Sequence, residues 1–229
     1  MQEVAGGVFQ LGFGYVNAFV VVDESVTLVD SGTPKKEAKL RRAVADVGNG
    51  RPLRDIVVTH HHMDHVGSLA DVARESVTVW AHPLDAGVIK GTDRPKPAPR
   101  NTLEQIGVKI ASRLVPNAKP ARVDRELSDG EPVPVAGGLI AYHTPGHTNG
   151  HVSFLLPSKR VLFVGDAAAN YLGRLGPPVG IYSEDHDAVR ASIAKIAGLD
   201  FDIACFGHGR VLKGGAAAKF RKLAEKVAG

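Results

Sequence analysis

The segment THHHMDH, residues 59–65, places four of the ten histidines of the chain beside an aspartate. Imidazole is costly to bury without partners, so a run of this kind inside a chain points to chemistry. In an extended segment, residues two apart point the same way, which allows His60 and His62 to bind one metal ion together. After a bend of the chain, Asp64 and His65 can reach a second ion.

Three further residues with metal-binding side chains lie at the ends of predicted strands. His147 follows LIAYHTPG, Asp166 ends RVLFVGD, and His208 follows FDIACFG. Loops beyond one edge of a sheet converge on a common site. His147 then completes the first metal site, His208 completes the second, and the two carboxylate oxygens of Asp166 can bridge both ions. This donor set predicts two divalent metal ions, zinc first, with iron and manganese as alternatives.

The segments LVDSG, THHHMDH, TPGHTNGH, VGD and GHG resemble, in order, five motifs of the metallo-β-lactamase superfamily. The resemblance extends over nearly the whole chain. It implies the α/β class, as an αββα sandwich of two mixed β-sheets flanked by helices, with the metals at one edge. It assigns the same seven metal ligands, namely His60, His62, Asp64, His65, His147, Asp166 and His208. It also implies that Asp30 orients a ligand histidine. His151 is expected to hydrogen-bond next to the metals without binding them.

Metal-dependent hydrolysis is the activity that this resemblance implies most often. The expected reaction is attack on an ester, lactone or thioester carbonyl by hydroxide that two metal ions activate. Asp64 and Asp166 are the expected catalytic residues, with Asp64 passing a proton to the leaving group. The alternatives are a mononuclear iron sulfur dioxygenase, a β-lactamase or phosphodiesterase on the same fold, and a metal-binding protein without turnover. Acyl-homoserine lactonases of the family have tyrosine where this chain has Ala169, which disfavours that particular activity.

Alternating strands and helices must position these residues. The pattern predicts a sheet-rich core covered by helices. The predicted strands lie at 8–14, 15–23, 26–32, 55–59, 77–82, within 139–147, within 151–166 with a turn at Ser158–Lys159, and at 201–209. The predicted helices lie at 33–48, 66–76, 185–198 and in the basic amphipathic segment KFRKLAEK, residues 219–226.

We expect a single domain over residues 1–229, with active-site insertions at 85–121 and 167–184. Both insertions are rich in proline or glycine, as binding loops often are. A helix is predicted near 101–114 inside the first. Tyr171, Arg174 and Tyr182 in the second are candidate substrate contacts, and the arginine suits a carboxylate.

Composition narrows the class of partner. The net charge of +4 is spread along the chain without a lysine and arginine block, which argues against nucleic acid. No apolar run is long enough for a membrane span, and the N-terminal segment lacks the pattern of a signal peptide, so the cytoplasm is the expected location. The expected partner is a small-molecule substrate, and a homodimer is an open alternative.

Four remaining residues are expected to have no chemical role. The single cysteine, Cys205, is predicted to be a buried apolar residue. His61 is expected to be a surface or structural residue, because it points away from its neighbours in the run. His82 is expected to be structural, and Trp80 is expected to lie in the core.

Overall fold

Two large β-sheets packed face to face form the centre of the computed structural model, which describes residues 1–94 and 118–228. The first sheet contains seven strands in chain order. The first four strands run antiparallel, and the fourth to the seventh are parallel. Its strands are β1 Gln2–Ala5, β2 Val8–Gly12, β3 Asn17–Val22, β4 Val26–Val29, β5 Leu53–Val57, β6 Thr78–Ala81 and β7 Arg125–Glu126.

The second sheet has six strands, which are β8 Glu131–Val133, β9 Leu139–His143, β10 Val152–Leu156, β11 Val161–Gly165, β14 Ile203–Phe206 and β15 Leu212–Lys213. Their order in the sheet is β15-β14-β11-β10-β9-β8. Only β11 and β14 pair in parallel within it. A separate hairpin joins β12 Ala169–Tyr171 to β13 Arg174–Gly176.

Helices cover the outer face of each sheet. They are α1 Glu37–Gly48, α2 Met63–Val66, α3 Leu69–Val72, α4 Pro83–Lys90, α5 His186–Ala197 and α6 Ala216–Ala228. Leu40 of α1 and Leu69 of α3 pack on the first sheet, and Ile193 of α5 and Phe220 of α6 pack on the second. Within the part of the chain that the structure describes, the helices are all too short or too polar to cross a bilayer.

Strands buried on both faces separate three apolar layers. In β11, Phe163 points between the sheets while Leu162 and Val164 point to the outer helices. Cys205 of β14 lies between the sheets, which confirms its prediction as a buried apolar residue. Burial on both faces explains why these strands read as continuous apolar runs. The four layers confirm the predicted αββα sandwich.

Several predicted elements differ from the observed ones. The first helix begins at Glu37 and not at residue 33, since Lys35 has a left-handed φ of 63° that a helix does not contain. The helix predicted at 66–76 is replaced by α2 and α3. Gly67 lies between them, so close to Pro34 and the Met63 carbonyl that a Cβ there would overlap both. The pattern also missed β1, β7, β8, the β12–β13 hairpin and α4. The helix predicted near 101–114 lies outside the described residues.

Candidate metal centre

Four chain segments at one edge of the sandwich carry the predicted metal ligands. The first follows β5 and continues into α2, the second precedes β10, the third follows β11, and the fourth follows β14. The structure brings the predicted set together at this edge: His60, His62, Asp64, His65, His147, Asp166 and His208. In the second sheet, β11 and β14 are parallel and end at this edge, and β10, which runs antiparallel to β11, begins there. In the first sheet, β5 ends at this edge.

The donor atoms form overlapping groups. Within each group, the histidine nitrogens and carboxylate oxygens all lie within 4.8 Å of one another. The groups are His60 with His62 and His147, His60 with His65 and Asp166, and Asp64 with His65 and His208. The first and third have the same members as the two predicted metal sites. Three or more histidine and carboxylate donors at this spacing suit a divalent transition metal or zinc.

Asp166 lies between the two groups. Its Oδ2 is 3.4 Å from Nε2 of His147 and 3.1 Å from Nε2 of His208. Its Oδ1 is 3.6 Å from Nε2 of His65. One carboxylate therefore faces histidines of both predicted sites, which is the position that a bridging ligand requires.

Buried donor atoms without hydrogen-bond partners support a metal at this place. Nε2 of His60, Nε2 of His65 and Oδ1 of Asp166 are buried and make no hydrogen bond. An unsatisfied buried polar atom costs about 1–3 kcal/mol. Nδ1 of His62 and Nε2 of His147 lie only 3.0 Å apart. Burial lowers the pKa of both these histidines, so both rings are neutral and offer lone pairs. These donors fit a divalent ion.

The carboxylates of Asp64 and Asp166 favour positive charge in the second group. Burial disfavours charge on His65, but the charges of Asp166 and Asp30 outweigh it and raise the pKa of His65 to about 9. Burial also opposes charge on His208, and its hydrogen bonds with Asp166 and Asp64 still raise its pKa to about 11. Burial would raise the pKa of Asp64, but its contacts with His208 and His65 outweigh burial and lower it to about 2. A site that stabilises positive charge this strongly is suited to a cation.

Asp30, which follows β4, orients two of the candidate ligands. Its Oδ2 accepts hydrogen bonds from Nδ1 of His65 and Oγ1 of Thr59, both at 2.8 Å. Because the Thr59 hydroxyl donates to Asp30, it accepts from Nδ1 of His60 at 3.0 Å. Both imidazoles thus direct Nε2 into the site. The backbone of Asp30 has a left-handed φ of 62°, a conformation that aspartate tolerates better than most residues.

His151 fixes the backbone at Asp166. Its Nε2 accepts the backbone N–H of Asp166 at 2.9 Å, so Nδ1 carries the proton and donates to Thr144 at 2.9 Å. Burial lowers the pKa of His151 to about 3, which keeps the ring neutral. Gly165 has φ of 57°, and a Cβ there would lie 2.5 Å from Nε2 of His151. The glycine of the VGD motif therefore gives the histidine room.

Two residues that sequence reasoning missed hold the His208 segment. The side-chain amide of Asn17 donates to the carbonyls of Phe206 at 3.1 Å and Gly209 at 2.9 Å. The carbonyl of Tyr15 accepts from Nδ1 of His208 at 2.9 Å, and the Tyr15 ring stacks on that imidazole at 5.8 Å between centroids. The signal for Asn17 was a polar residue inside the otherwise apolar run VNAFVVV.

The four residues expected to have no chemical role belong to none of the donor groups. His61 is buried against Asp85, so the expected alternative of a surface position is wrong, and a structural role stays the prediction. His82 caps the N-terminus of α4 by accepting the Leu84 N–H, and its ring stacks on His143 at 4.1 Å. Trp80 packs against the core but is only partly buried, because its indole N–H donates to Asp55 at 2.9 Å.

The candidate substrate contacts lie in the second predicted insertion. Tyr171 is the last residue of β12, and its ring centroid is 6.3 Å from that of His208. Arg174 pairs with Tyr171 across the hairpin and is exposed. Tyr182 is exposed beside Ser183, whose hydroxyl lies 3.4 Å from Nδ1 of His147. Tyr171 thus lies beside the cluster, and Tyr182 is next in sequence to a residue that contacts it.

Comparison with known proteins identifies the family. The fold and the site together define the class of αββα proteins with a histidine- and aspartate-rich edge. The family model of the metallo-β-lactamase superfamily matches residues 11–208. The chain is 28% identical over 232 residues to "Probable metallo-hydrolase YflN" of Bacillus subtilis (strain 168), covering 93% of this chain and 87% of that protein. The chain belongs to the metallo-β-lactamase superfamily and is a metallo-hydrolase.

A further relative agrees with this membership, and solved structures agree with the fold. A hydroxyacylglutathione hydrolase of Pseudomonas aeruginosa (strain LESB58) is 33% identical over 182 residues, which cover 72% of this chain and 55% of that enzyme. The MIM-2 metallo-β-lactamase superposes with a TM-score of 0.72 at 23% identity, over 99% of this chain and 86% of that one. The family protein TTHA1429 of Thermus thermophilus superposes with a TM-score of 0.70 at 23% identity, over 98% and 79%. At this identity the two structures support the fold alone.

Proposed function

We propose that the protein is a hydrolase that uses two divalent metal ions, zinc first, to cleave an ester, lactone or thioester of a small molecule. The observation that carries the proposal is the position of Asp166, whose carboxylate faces histidines of both donor groups at 3.1–3.6 Å. His60, His62 and His147 would hold one ion, and Asp64, His65 and His208 the other. The relative YflN, which is named a probable metallo-hydrolase, supports the reaction class.

Metal ions bound there would lower the pKa of a water molecule toward neutrality and polarise the carbonyl that is attacked. The residues of the chain would hold the metal ions in place and transfer the proton. Asp166 would keep the two donor groups together. Asp64 is partly buried at the rim of the cluster, with Oδ2 at 3.4 Å from Nε2 of His208. As an ionised carboxylate it would take the proton that the attacking water loses and pass it to the leaving group.

The rim of the site favours a substrate with an apolar part. Tyr15, Tyr171 and Tyr182 are among the large apolar side chains that are exposed in the described residues, and two of them lie against His208. Exposed aromatic rings beside a polar centre commonly contact ligands. The likeness to hydroxyacylglutathione hydrolases is the reason for including thioesters among the proposed substrates, and it does not specify the thiol.

A substrate panel tests the proposal. Zinc-loaded protein would be assayed with p-nitrophenyl esters, with lactones followed by acid release, and with acyl thioesters followed by thiol release. We expect turnover in at least one group and a loss of more than ~100-fold in the Asp166→Ala variant, since a bridging ligand is removed. Oxygen uptake with a persulfide by a protein containing one iron per chain, without hydrolysis, would contradict the proposal.

A further inference from the structure

Asp85, in the first turn of α4, is a buried carboxylate that contacts both loops of the first donor group. Only 1% of its surface is exposed. Its Oδ2 accepts the backbone N–H of His61 and the hydroxyl of Thr148, each at 2.8 Å. Its Oδ1 accepts the backbone N–H of Gly150 at 2.9 Å. Nδ1 of His61 lies 3.1 Å from Oδ2 as well.

These contacts involve the immediate neighbours of candidate ligands. His61 lies between His60 and His62 in the chain, and Thr148 directly follows His147. One side chain therefore connects the segment after β5 with the segment before β10. Those two segments must keep a fixed separation if His62 and His147 are to hold their nitrogens 3.0 Å apart.

The surroundings of Asp85 are built for a charged acceptor. Burying a carboxylate without partners is very costly, and here several donors face its two oxygens. The N-terminal turn of α4 adds a favourable dipole. The loop also approaches closely: a Cβ on Gly150 would lie 2.5 Å from Oδ1 of Asp85. A larger residue at position 150 would therefore separate the loop from the carboxylate.

We propose that Asp85 is a positioning residue, which sets the separation of the His60–His62 segment from His147 and thereby the affinity of the first metal site. The inference rests on the proposed function, because it requires that His60, His62 and His147 bind a metal ion. It assigns a role to α4, an element that carries none of the seven candidate ligands. It also gives a reason for the burial of His61, whose backbone N–H and ring Nδ1 both lie against Asp85.

The test is the isosteric substitution Asp85→Asn. An amide has one acceptor oxygen, so its NH₂ group must face either the Gly150 N–H or the His61 N–H, and two donors then oppose each other. We expect the two loops to move apart. Affinity for zinc, measured by competition with a chromophoric chelator, should fall about 10- to 100-fold, as for other residues that orient metal ligands. The visible absorption of the cobalt(II)-loaded protein should change, because it reports ligand geometry.

Two further variants separate positioning from general stability. Asp124→Asn alters another carboxylate, which belongs to none of the donor groups. This carboxylate accepts a hydrogen bond of 2.9 Å from the Val79 N–H. The substitution should lower the melting temperature and leave zinc affinity unchanged. Thr148→Val removes only one hydroxyl contact to Asp85 and leaves its two backbone contacts, so zinc binding should weaken about 3- to 10-fold, the range of one ordinary hydrogen bond. Thr148→Val carries the test if Asp85→Asn does not fold.

The outcomes are distinct. Weakened zinc affinity and an altered cobalt spectrum in Thr148→Val and Asp85→Asn, with neither in Asp124→Asn, would support the inference. Wild-type affinity and an unchanged spectrum in every folded variant at positions 85 and 148 would overturn it, whatever happens to the melting temperature. Wild-type protein that takes up neither zinc nor cobalt would overturn the proposed function and this inference together.

Discussion

Asp30 and His65 form a buried hydrogen bond of 2.8 Å, from Nδ1 of the imidazole to Oδ2 of the carboxylate. The pair leaves Nε2 of His65 free to face Asp166. The other oxygen of Asp30 accepts the backbone N–H of Thr59 at 2.8 Å. A single carboxylate thus orients an imidazole in α2 and holds the start of the histidine segment.

The first prediction concerns this carboxylate. Asp30→Asn should weaken zinc binding about 10- to 100-fold, because the amide cannot accept from both His65 and Thr59 through its two ends. Chelator competition measures the affinity. Asp55→Asn is the matched control, since Asp55 accepts from the Trp80 indole at 2.9 Å and contacts none of the candidate ligands. Equal zinc affinity in the Asp30 variant and the control would contradict the assignment.

A second prediction concerns Gly207 in the GHG motif. A Cβ at this position would overlap Oδ1 of Asp166 and lie 2.5 Å from Cε1 of His65. Gly207→Ala should therefore displace the candidate bridging carboxylate, lower zinc stoichiometry from two toward one, and destabilise the fold by about 1–3 kcal/mol. Gly176→Ala is the control, because its Cβ meets nothing within 4 Å. Native mass spectrometry counts the bound metals, and two zinc ions in Gly207→Ala would contradict the packing argument.

A third prediction concerns stability at low pH. Burial, and then the charge of His143, lower the pKa of His82 to about 4 from the ordinary 6.5. The unfolded chain binds this proton first, so the contribution of His82 to stability is complete above pH 6.5 and is lost as the pH falls toward 4. His82→Asn keeps a side-chain acceptor for the Leu84 N–H and removes the titration. Its unfolding midpoint in urea should fall less than that of the wild type between about pH 7 and about pH 4.5. If the urea midpoint fell equally with pH in the two proteins, the lowered pKa of His82 would be contradicted.

A fourth prediction concerns the rim. Tyr15 contacts His208 through its ring and, separately, through its backbone carbonyl. Tyr15→Ala should therefore keep the metals and raise KM for aromatic or medium-chain acyl substrates about 2- to 10-fold, as the loss of one aromatic contact would. Leu172→Ala, at the exposed tip of the β12–β13 hairpin, is the control. An unchanged KM together with a lower kcat would indicate that Tyr15 acts on the candidate metal ligand His208 and not on the substrate.

Much of this arrangement could be predicted from the sequence. The candidate metal ligands are clustered histidines and aspartates, and they follow strands with clear apolar runs. The position of His60 or Asp166 at the end of a strand could therefore be predicted without knowledge of distant contacts. The order of the motifs then implied the sandwich. Strands β10, β11 and β14 next to these residues are buried almost throughout, and continuous apolar runs are a strong signal of such strands.

The supporting contacts could not be predicted in the same way. Asp85 lies in a short helix inside a segment that reads as a proline- and glycine-rich loop, and its partners are more than twenty residues away in the chain. Asn17 likewise acts on residues at the other end of the chain. Such contacts depend on tertiary packing, which single-sequence patterns do not contain. Short elements such as β7 and β8 also have too few residues to show a period. The cytoplasmic location and the homodimer stay predictions.

Metal stoichiometry tests the central claim most directly. The protein would be stripped with a chelator, loaded with excess zinc, desalted, and measured by elemental analysis alongside Asp166→Ala prepared in the same way. We predict two zinc ions per wild-type chain and at most one in the variant, since Asp166 lies between the two donor groups. A wild-type chain that retains no zinc, or the same count in both proteins, would contradict the account.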